Sequence, residues 1–141
     1  MENQNSIITI ESLINAPVSK VWTYWNEPEH ITRWYFASDD WHAPEAENNL
    51  KVGGKLKINM AAKDGSFSFD FEGTHTYIVF EKKIDFTIAD GRRVAVSFNQ
   101  EEDQTRVIES FEMETQNSEE LQRSGWQAIL NNFKKYVETK D

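Results

Sequence analysis

The sequence predicts an α+β fold in which one antiparallel sheet packs against a long C-terminal helix. Between Leu56 and Met113 of this 141-residue chain, apolar and polar side chains largely alternate, which is typical of half-buried strands. Over residues 117–140 the apolar side chains instead recur at steps of three and four, which places them on one face of a helix. This stripe consists of Trp126, Ile129, Leu130, Phe133 and Val137. Because a sheet with one apolar face needs a cover, we expect the helix to supply it.

The N-terminal third predicts a strand, two short helices and a long loop. Residues 7–15 alternate between apolar and polar side chains and form the first predicted strand. Pro17 suits the first turn of a helix, and Pro28 opens a second predicted helix over residues 28–35. Residues 36–49 show no period and are rich in turn-forming residues, so we expect a loop there. It carries Trp41 and His42, and it either covers the mouth of a pocket or packs on the core.

The middle of the chain predicts a meander. Asp64-Gly65 and Asp90-Gly91 are two-residue hairpin signals, and strands joined by tight turns pair antiparallel. A bulge is expected at Gly73. The residues predicted to face inward are Leu56, Ile58, Met60, Phe67, Phe69, Phe71, His75, Tyr77, Ile84, Phe86, Ile88, Val94, Val96, Phe98, Val107, Glu109, Phe111 and Met113.

The last helix completes a helix-grip arrangement. Asn117 is the predicted N-cap, with Glu120 three residues on, and Gly125 is expected to let the helix backbone approach the sheet closely. We therefore predict a curved antiparallel sheet of six to seven strands wrapped around the C-terminal helix, with two short helices between the first two strands. The whole of residues 1–141 is expected to form one domain.

Composition argues against several classes of function. A formal net charge of -9 repels a phosphate backbone, so no nucleic-acid partner is expected. The chain has no cysteine, which removes disulfides and thiolate chemistry and favours a cytoplasmic protein. No segment approaches the roughly 20 apolar residues of a membrane span, and the N-terminus lacks a secretory signal.

Acidic residues dominate residues 101–120, where Arg106 is the one base. The segment either keeps the surface solvated or offers a basic protein partner a complementary surface. The sequence leaves a monomer and a homodimer equally open.

Motifs for catalysis, metal binding and cofactor binding are absent from the sequence. It contains no Gly-x-Ser-x-Gly elbow, and Gly53-Gly54 matches no phosphate-binding loop. His30, His42 and His75 lack the spacing of metal ligands. We therefore expect no metal and no cofactor.

One acidic residue breaks the apolar pattern. Glu109 falls on the predicted inward face, where an unpaired carboxylate loses its hydration. Glu109 either turns out to solvent, or contacts a ligand, or acts with His75 and Tyr77 on a carbonyl substrate as an acid and base pair.

Several segments resemble the START-like superfamily, in particular bacterial relatives of the C-terminal domain of the heat-shock-protein-90 ATPase activator. They are INAPVSKVW, WNEPEHITRWY, VGG and the GW near the head of the last helix. The resemblance implies a helix-grip fold with a cavity beneath the final helix. Members of that superfamily include lipid and hormone carriers, polyketide cyclases and aromatases, and co-chaperones, so the fold does not select among them.

The main functional hypothesis is a protein that binds a small hydrophobic or aromatic molecule without transforming it. A cyclase-like enzyme and a co-chaperone-like interaction protein are the alternatives. The candidate ligand-binding residues are Trp34, Trp41, Phe69, Phe71, His75, Tyr77, Phe86, Phe98, Glu109, Phe111, Trp126, Ile129, Leu130 and Phe133.

Overall fold

A computed structural model describes residues 6–140, so residues 1–5 and Asp141 of the predicted domain lie outside the described part. It shows a seven-stranded antiparallel sheet, curled into a half-barrel, and a long C-terminal helix. The α+β helix-grip prediction is confirmed. The strands are β1 (Ile7–Ile14), β2 (Trp41–Asn48), β3 (Lys55–Ala62), β4 (Ser68–Val79), β5 (Lys83–Ile88), β6 (Arg93–Glu101) and β7 (Gln104–Glu112), and the helices are α1 (Val18–Asn26), α2 (Pro28–Ile31) and α3 (Glu119–Thr139).

The strand order is β1-β7-β6-β5-β4-β3-β2, so β2 to β7 form a meander and β1 closes it on β7. Ile10 lies opposite Glu109, and Glu109 lies opposite Val96 on its other side. The central strands keep the predicted alternation, with Val94, Val96 and Phe98 buried. The concave face is therefore apolar except for a few polar side chains, among them His75 and Glu109.

The prediction of a loop over residues 36–49 is wrong, because β2 occupies most of that segment. Pairing with β3 supplies the backbone hydrogen bonds, and the register shifts between His42 and Glu45, where Pro44 lies. Proline is tolerated here because β2 is an edge strand. Tertiary pairing has thus overridden a turn-like composition.

A second correction concerns the inward face of β4. The register shift falls between His75 and Tyr77, while Gly73 pairs regularly, so the bulge lies later than predicted. Tyr77 is consequently turned outward and is 50% exposed. Phe67 and Phe69 are also exposed, at 58% and 43%. Gly73 instead makes room for a ring, since a Cβ there would lie 2.9 Å from Cδ2 of Phe86.

Helix α3 begins one residue later than predicted and packs through its apolar stripe. Its N-cap is Ser118, whose hydroxyl accepts a hydrogen bond from the Leu121 amide at 3.1 Å, and not Asn117. Leu130, Phe133 and Val137 are buried. Gly125 does not mediate a close approach, because a Cβ there would meet nothing within 4 Å.

Helix α2 is shorter than the predicted 28–35 segment and ends at Ile31. Trp34 and Tyr35 follow it outside regular helix, and Trp34 is fully buried. Within residues 6–140 no helix combines the length and apolar character that a membrane crossing needs.

Candidate functional site

A small enclosed cavity lies between the concave face of the sheet and the two short helices. Its volume is about 20 Å³. The lining residues are Trp25, Asn26, Ile31, Trp34, Tyr35, Asn48, Leu56, Ile58, His75, Ile84, Phe86 and Glu109. The wall is mostly apolar with a few polar groups, which is the usual composition of a ligand pocket. The volume is enough for one water molecule and is well below the roughly 150 Å³ that admits benzene.

The resemblance implies a cavity beneath the final helix, whereas the lining of this cavity comes from the sheet, the two short helices and the residues that follow α2. Among its lining residues none comes from α3. The Phe133 ring packs edge-on against Trp25, with centroids 4.9 Å apart, and against Trp34 at 4.6 Å. Aromatic rings thus fill the space beneath the final helix, and the remaining cavity is displaced toward α1 and α2.

The structure brings four of the predicted ligand-binding residues together at the cavity, namely Trp34, His75, Phe86 and Glu109. The others lie elsewhere. Buried in the core are Phe98, Phe111, Leu130 and Phe133, and half-buried around it are Phe71, Trp126 and Ile129. Trp126 stacks on Phe111, with the ring centroids 3.8 Å apart.

Trp41, Phe69 and Tyr77 lie outside the cavity. Trp41 forms an aromatic cluster with Phe67 and Phe69, in which each pair of centroids is about 6 Å apart. Tyr77 is placed on the outer face, so the predicted trio of proton-handling residues is not assembled. Glu109 and His75 remain as the polar pair of the interior.

Sequence reasoning missed the cavity residues supplied by the short helices and by β2. The candidate ligand-binding residues predicted from the sequence include neither Trp25 nor Tyr35, although both line the cavity. Asn48 was missed because its segment was predicted to be a loop. A polar residue at the inward end of a strand, such as Asn48, is the signal that could have found it.

Glu109 is 6% exposed and has no hydrogen-bond partner among residues 6–140. Burial raises the pKa of its carboxyl to about 8, because the ionised form would be poorly solvated. Glu109 is therefore mainly uncharged at neutral pH. A protonated carboxyl has one O–H donor and retains acceptor capacity.

Tyr35 stands beside this carboxyl. The residue as a whole is half-buried, and it lines the cavity. Burial raises the pKa of the Tyr35 hydroxyl far above its ordinary value, and the nearby Glu109 raises it further. Tyr35 thus stays a neutral hydroxyl that can donate a hydrogen bond into the cavity.

His75 is 2% exposed, and burial lowers its pKa, which favours the neutral ring. Its Nε2 lies 2.7 Å from Oδ1 of Asn48. Its Nδ1 is buried and has no hydrogen-bond partner in the described part of the chain. Buried polar atoms without partners are uncommon in folded proteins and mark places where another group belongs.

A chain of amide hydrogen bonds holds His75 in place. Nδ2 of Asn26 donates to the Trp22 carbonyl at 2.9 Å, and Nδ2 of Asn48 donates to the Asn26 carbonyl at 2.9 Å. The backbone of His75 is fixed as well, because it exchanges hydrogen bonds with Gly53 and Gly54. The chain links the end of α1, strand β2 and strand β4 at one corner of the cavity.

A possible cation site lies on the surface. Glu27, Glu29 and His30 bring one ligand atom each to within 4.8 Å of one another around the start of α2. His30 already forms a hydrogen bond with the Tyr136 hydroxyl through Nδ1, at 2.7 Å. The two glutamates are exposed, and exposed acidic groups of this kind commonly bind nothing.

Three of the eight acids in the segment over residues 101–120 make separate contacts. Glu101 pairs with Arg106 at 2.8 Å, and Glu112 pairs with Arg93 at 2.8 Å. Glu109 faces the interior on the same strand. These three acids thus serve local contacts within the protein.

Comparisons with known proteins agree with this architecture. The model of the family described as Activator of Hsp90 ATPase homolog 1-like protein matches residues 15–138. The solution structure of an AHSA1-like protein from Aeromonas hydrophila is 45% identical, with a TM-score of 0.90, covering 94% of this chain and 92% of that chain. A protein from Cytophaga hutchinsonii is 52% identical, with a TM-score of 0.81, covering 93% and 91%.

More distant structures share the fold alone. A protein from Chromobacterium violaceum is 17% identical, with a TM-score of 0.85, covering 96% of this chain and 99% of that chain. A search among curated proteins gave no match. With a family match over nearly its whole length, the chain belongs to the Activator of Hsp90 ATPase homolog 1-like proteins, within the START-like superfamily.

Proposed function

We propose that this protein binds a small, mostly apolar molecule in the cavity between the sheet and helices α1 and α2. The observation that carries the proposal is a pair of buried polar side chains, Glu109 and His75, in the wall of an enclosed aromatic cavity. Glu109 lacks a hydrogen-bond partner among the described residues, and so does Nδ1 of His75. Leaving a buried polar atom such as Nδ1 of His75 unpaired costs about 1–3 kcal/mol, which a bound molecule recovers by pairing with it.

The guest enters by displacing side chains. A volume of about 20 Å³ holds one water-sized group, so a ring requires the wall to move. Tyr35 is the side chain best placed to move, because it is half-buried and lies outside regular helix. Its ring contacts Trp34 and Phe71, with centroids 5.2 Å and 5.7 Å away.

The test compares two tyrosines. Tyr35→Ala removes a ring from the cavity wall, whereas Tyr77→Ala removes one from the outer face of the same protein. Toluene and phenol serve as single-ring probes, and binding is followed by NMR titration and by the shift in melting temperature. Tyr35→Ala is expected to bind the probes at least about tenfold more tightly than the wild type. Tyr77→Ala is expected to behave as the wild type does.

Two results would count against the proposal. One is a Tyr35→Ala variant that folds and yet binds neither probe. The other is a set of NMR shift changes that avoids the indole of Trp25 and the backbone of Glu109 and clusters on the outer face of the sheet.

A second candidate function is contact with a chaperone of the Hsp90 type, which the family description names. The observation that favours it is the aromatic cluster of Trp41, Phe67 and Phe69 near the β3–β4 turn. Phe67 is 58% exposed, and exposed apolar clusters often mark protein interfaces.

The chaperone contact is tested by titrating the cognate chaperone against the wild type and against Phe67→Ala. Phe80→Ala is the matched control, since Phe80 is also exposed but belongs to the β4–β5 turn. We expect Phe67→Ala alone to weaken binding. Equal affinity for all three proteins would rule the cluster out as the interface.

A further inference from the structure

The hydrogen bonds around the cavity determine which nitrogen of His75 carries the proton. The Trp22 and Asn26 carbonyls can only accept, so Nδ2 of Asn26 and Nδ2 of Asn48 must face them. The Asn48 amide is therefore oriented with Oδ1 toward His75, and Nε2–H of the ring donates to it at 2.7 Å.

The neutral ring has one proton, so Nδ1 is a lone-pair acceptor. A second proton on Nδ1 would bury a charge, and burial lowers the pKa of His75 accordingly. His75, which lines the cavity, therefore has a buried acceptor without a partner among the described residues.

Glu109 and Tyr35 supply the donors. The carboxyl of Glu109 is mainly protonated at neutral pH, since burial raises its pKa to about 8. It has both an O–H donor and an acceptor oxygen, and the Tyr35 hydroxyl beside it is a further donor. His75 and Glu109 come from strands separated by two others, and both line one cavity.

We propose that the cavity selects an uncharged molecule carrying a hydroxyl group. The hydroxyl forms a hydrogen bond with Glu109, and His75 completes the set of acceptors in the cavity. The inference rests on the proposed binding function and names the chemical class of the ligand. A hydroxyl both donates and accepts hydrogen bonds, and the residues that line the cavity offer both acceptors and donors. A purely apolar guest would leave the buried polar groups unpaired.

Charged guests are disfavoured for separate reasons. A carboxylate can only accept, and it would bring a charge into an enclosed apolar site that contains no cationic side chain among its described lining residues. An ammonium group would require Glu109 to lose its proton, and it would leave its own hydration shell.

The experiment uses four single-ring probes of similar size, namely phenol, toluene, benzylamine and benzoate. Affinities for the wild type are measured by NMR titration at neutral pH. Phenol is expected to bind at least about tenfold more tightly than toluene, the difference that one hydrogen-bonded polar group produces. Benzylamine and benzoate are expected to bind more weakly than phenol.

Two variants assign the preference to Glu109. Glu109→Gln retains a donor and an acceptor at the site, so the preference for phenol over toluene is expected to persist. Glu109→Leu has a similar size without polar atoms, so the preference is expected to fall to about threefold or less. Because Leu is apolar, this variant introduces no new buried polar group that would threaten folding.

The remaining outcomes show whether the inference fails alone or together with the proposed function. Equal binding of phenol and toluene overturns the hydroxyl class and leaves the binding function standing. Tightest binding of benzylamine, with release of a proton, also overturns it in favour of a cation. Binding of none of the probes, including by Tyr35→Ala, overturns both. Nitrogen NMR shifts that place the His75 proton on Nδ1 overturn the acceptor assignment without any ligand.

Discussion

A carboxyl group on the apolar face of a sheet has a free-energy cost, and Glu109 shows how a protein reduces that cost. The side chain lies between Ile10 and Val96 on the neighbouring strands. Among the described residues no basic side chain approaches it closely enough to lower its pKa, and burial alone raises that pKa to about 8. Keeping the proton avoids the larger cost of a buried charge.

The proton makes stability depend on pH. Between the ordinary pKa of 4.5 and about 8, the folded protein keeps a proton that the unfolded chain releases. The stabilising effect of keeping the proton is fully present below the lower value and is lost as the pH rises through the upper one. Glu109→Gln has no such proton. We therefore expect the wild type to lose stability relative to this variant by up to about 1.4 kcal/mol per pH unit over that window.

Urea unfolding at several pH values from about 5 to about 8 measures the difference. His75 is present in both proteins, so its own titration largely cancels. Parallel stability curves for the two proteins would show that Glu109 is ionised in the folded state.

At the scale of elements, side-chain pattern predicts the central strands and α3 well, and it is less reliable where an element depends on its neighbours. Strand β2 exists because β3 offers it a hydrogen-bonding edge, despite Pro44. The bulge in β4 lies at the step between His75 and Tyr77 and not at Gly73. A glycine inside a strand has several possible uses, and here its use is to leave room for Phe86.

Two glycines provide a matched prediction for these elements. Gly125 lies inside α3 with open space around a would-be Cβ, so Gly125→Ala is expected to stabilise the protein by about 0.5–1 kcal/mol through helix propensity. Gly73→Ala would press on the Phe86 ring and is expected to destabilise the protein. Thermal unfolding of both variants shows which substitution raises the stability of the protein and which lowers it. A loss of stability in Gly125→Ala would mean that α3 packs more closely there.

On the scale of the whole molecule, one aromatic layer joins the sheet, the short helices and α3. Phe133 from α3 packs between Trp25 and Trp34, and Trp25 also meets Phe98 from β6, with centroids 5.7 Å apart. The layer holds α1 and α2 over the sheet, and two of its rings, Trp25 and Trp34, also line the small cavity. The closed interior is therefore a consequence of this packing.

Truncating the centre of that layer tests its contribution. Phe133→Ala is expected to lower the free energy of unfolding by about 3–5 kcal/mol, the range for a fully buried phenylalanine. Leu121→Ala on the same helix is the control, because Leu121 is 60% exposed and its loss should cost less than about 0.5 kcal/mol. Denaturant unfolding gives both values. Similar values for the two variants would show that the layer contributes little.

The sequence by itself determined the kinds and order of the elements other than β2, and the inward position of Glu109, because these depend on local periodicity and turn chemistry. It also determined that α3 presents an apolar stripe to the rest of the protein. Only the tertiary structure decided that Asn48 orients His75, that Tyr77 faces outward and that the cavity lies under α1 and α2. Those facts depend on strand register and on how large rings fill a shared space, and contacts between residues distant in the chain leave no period in the sequence.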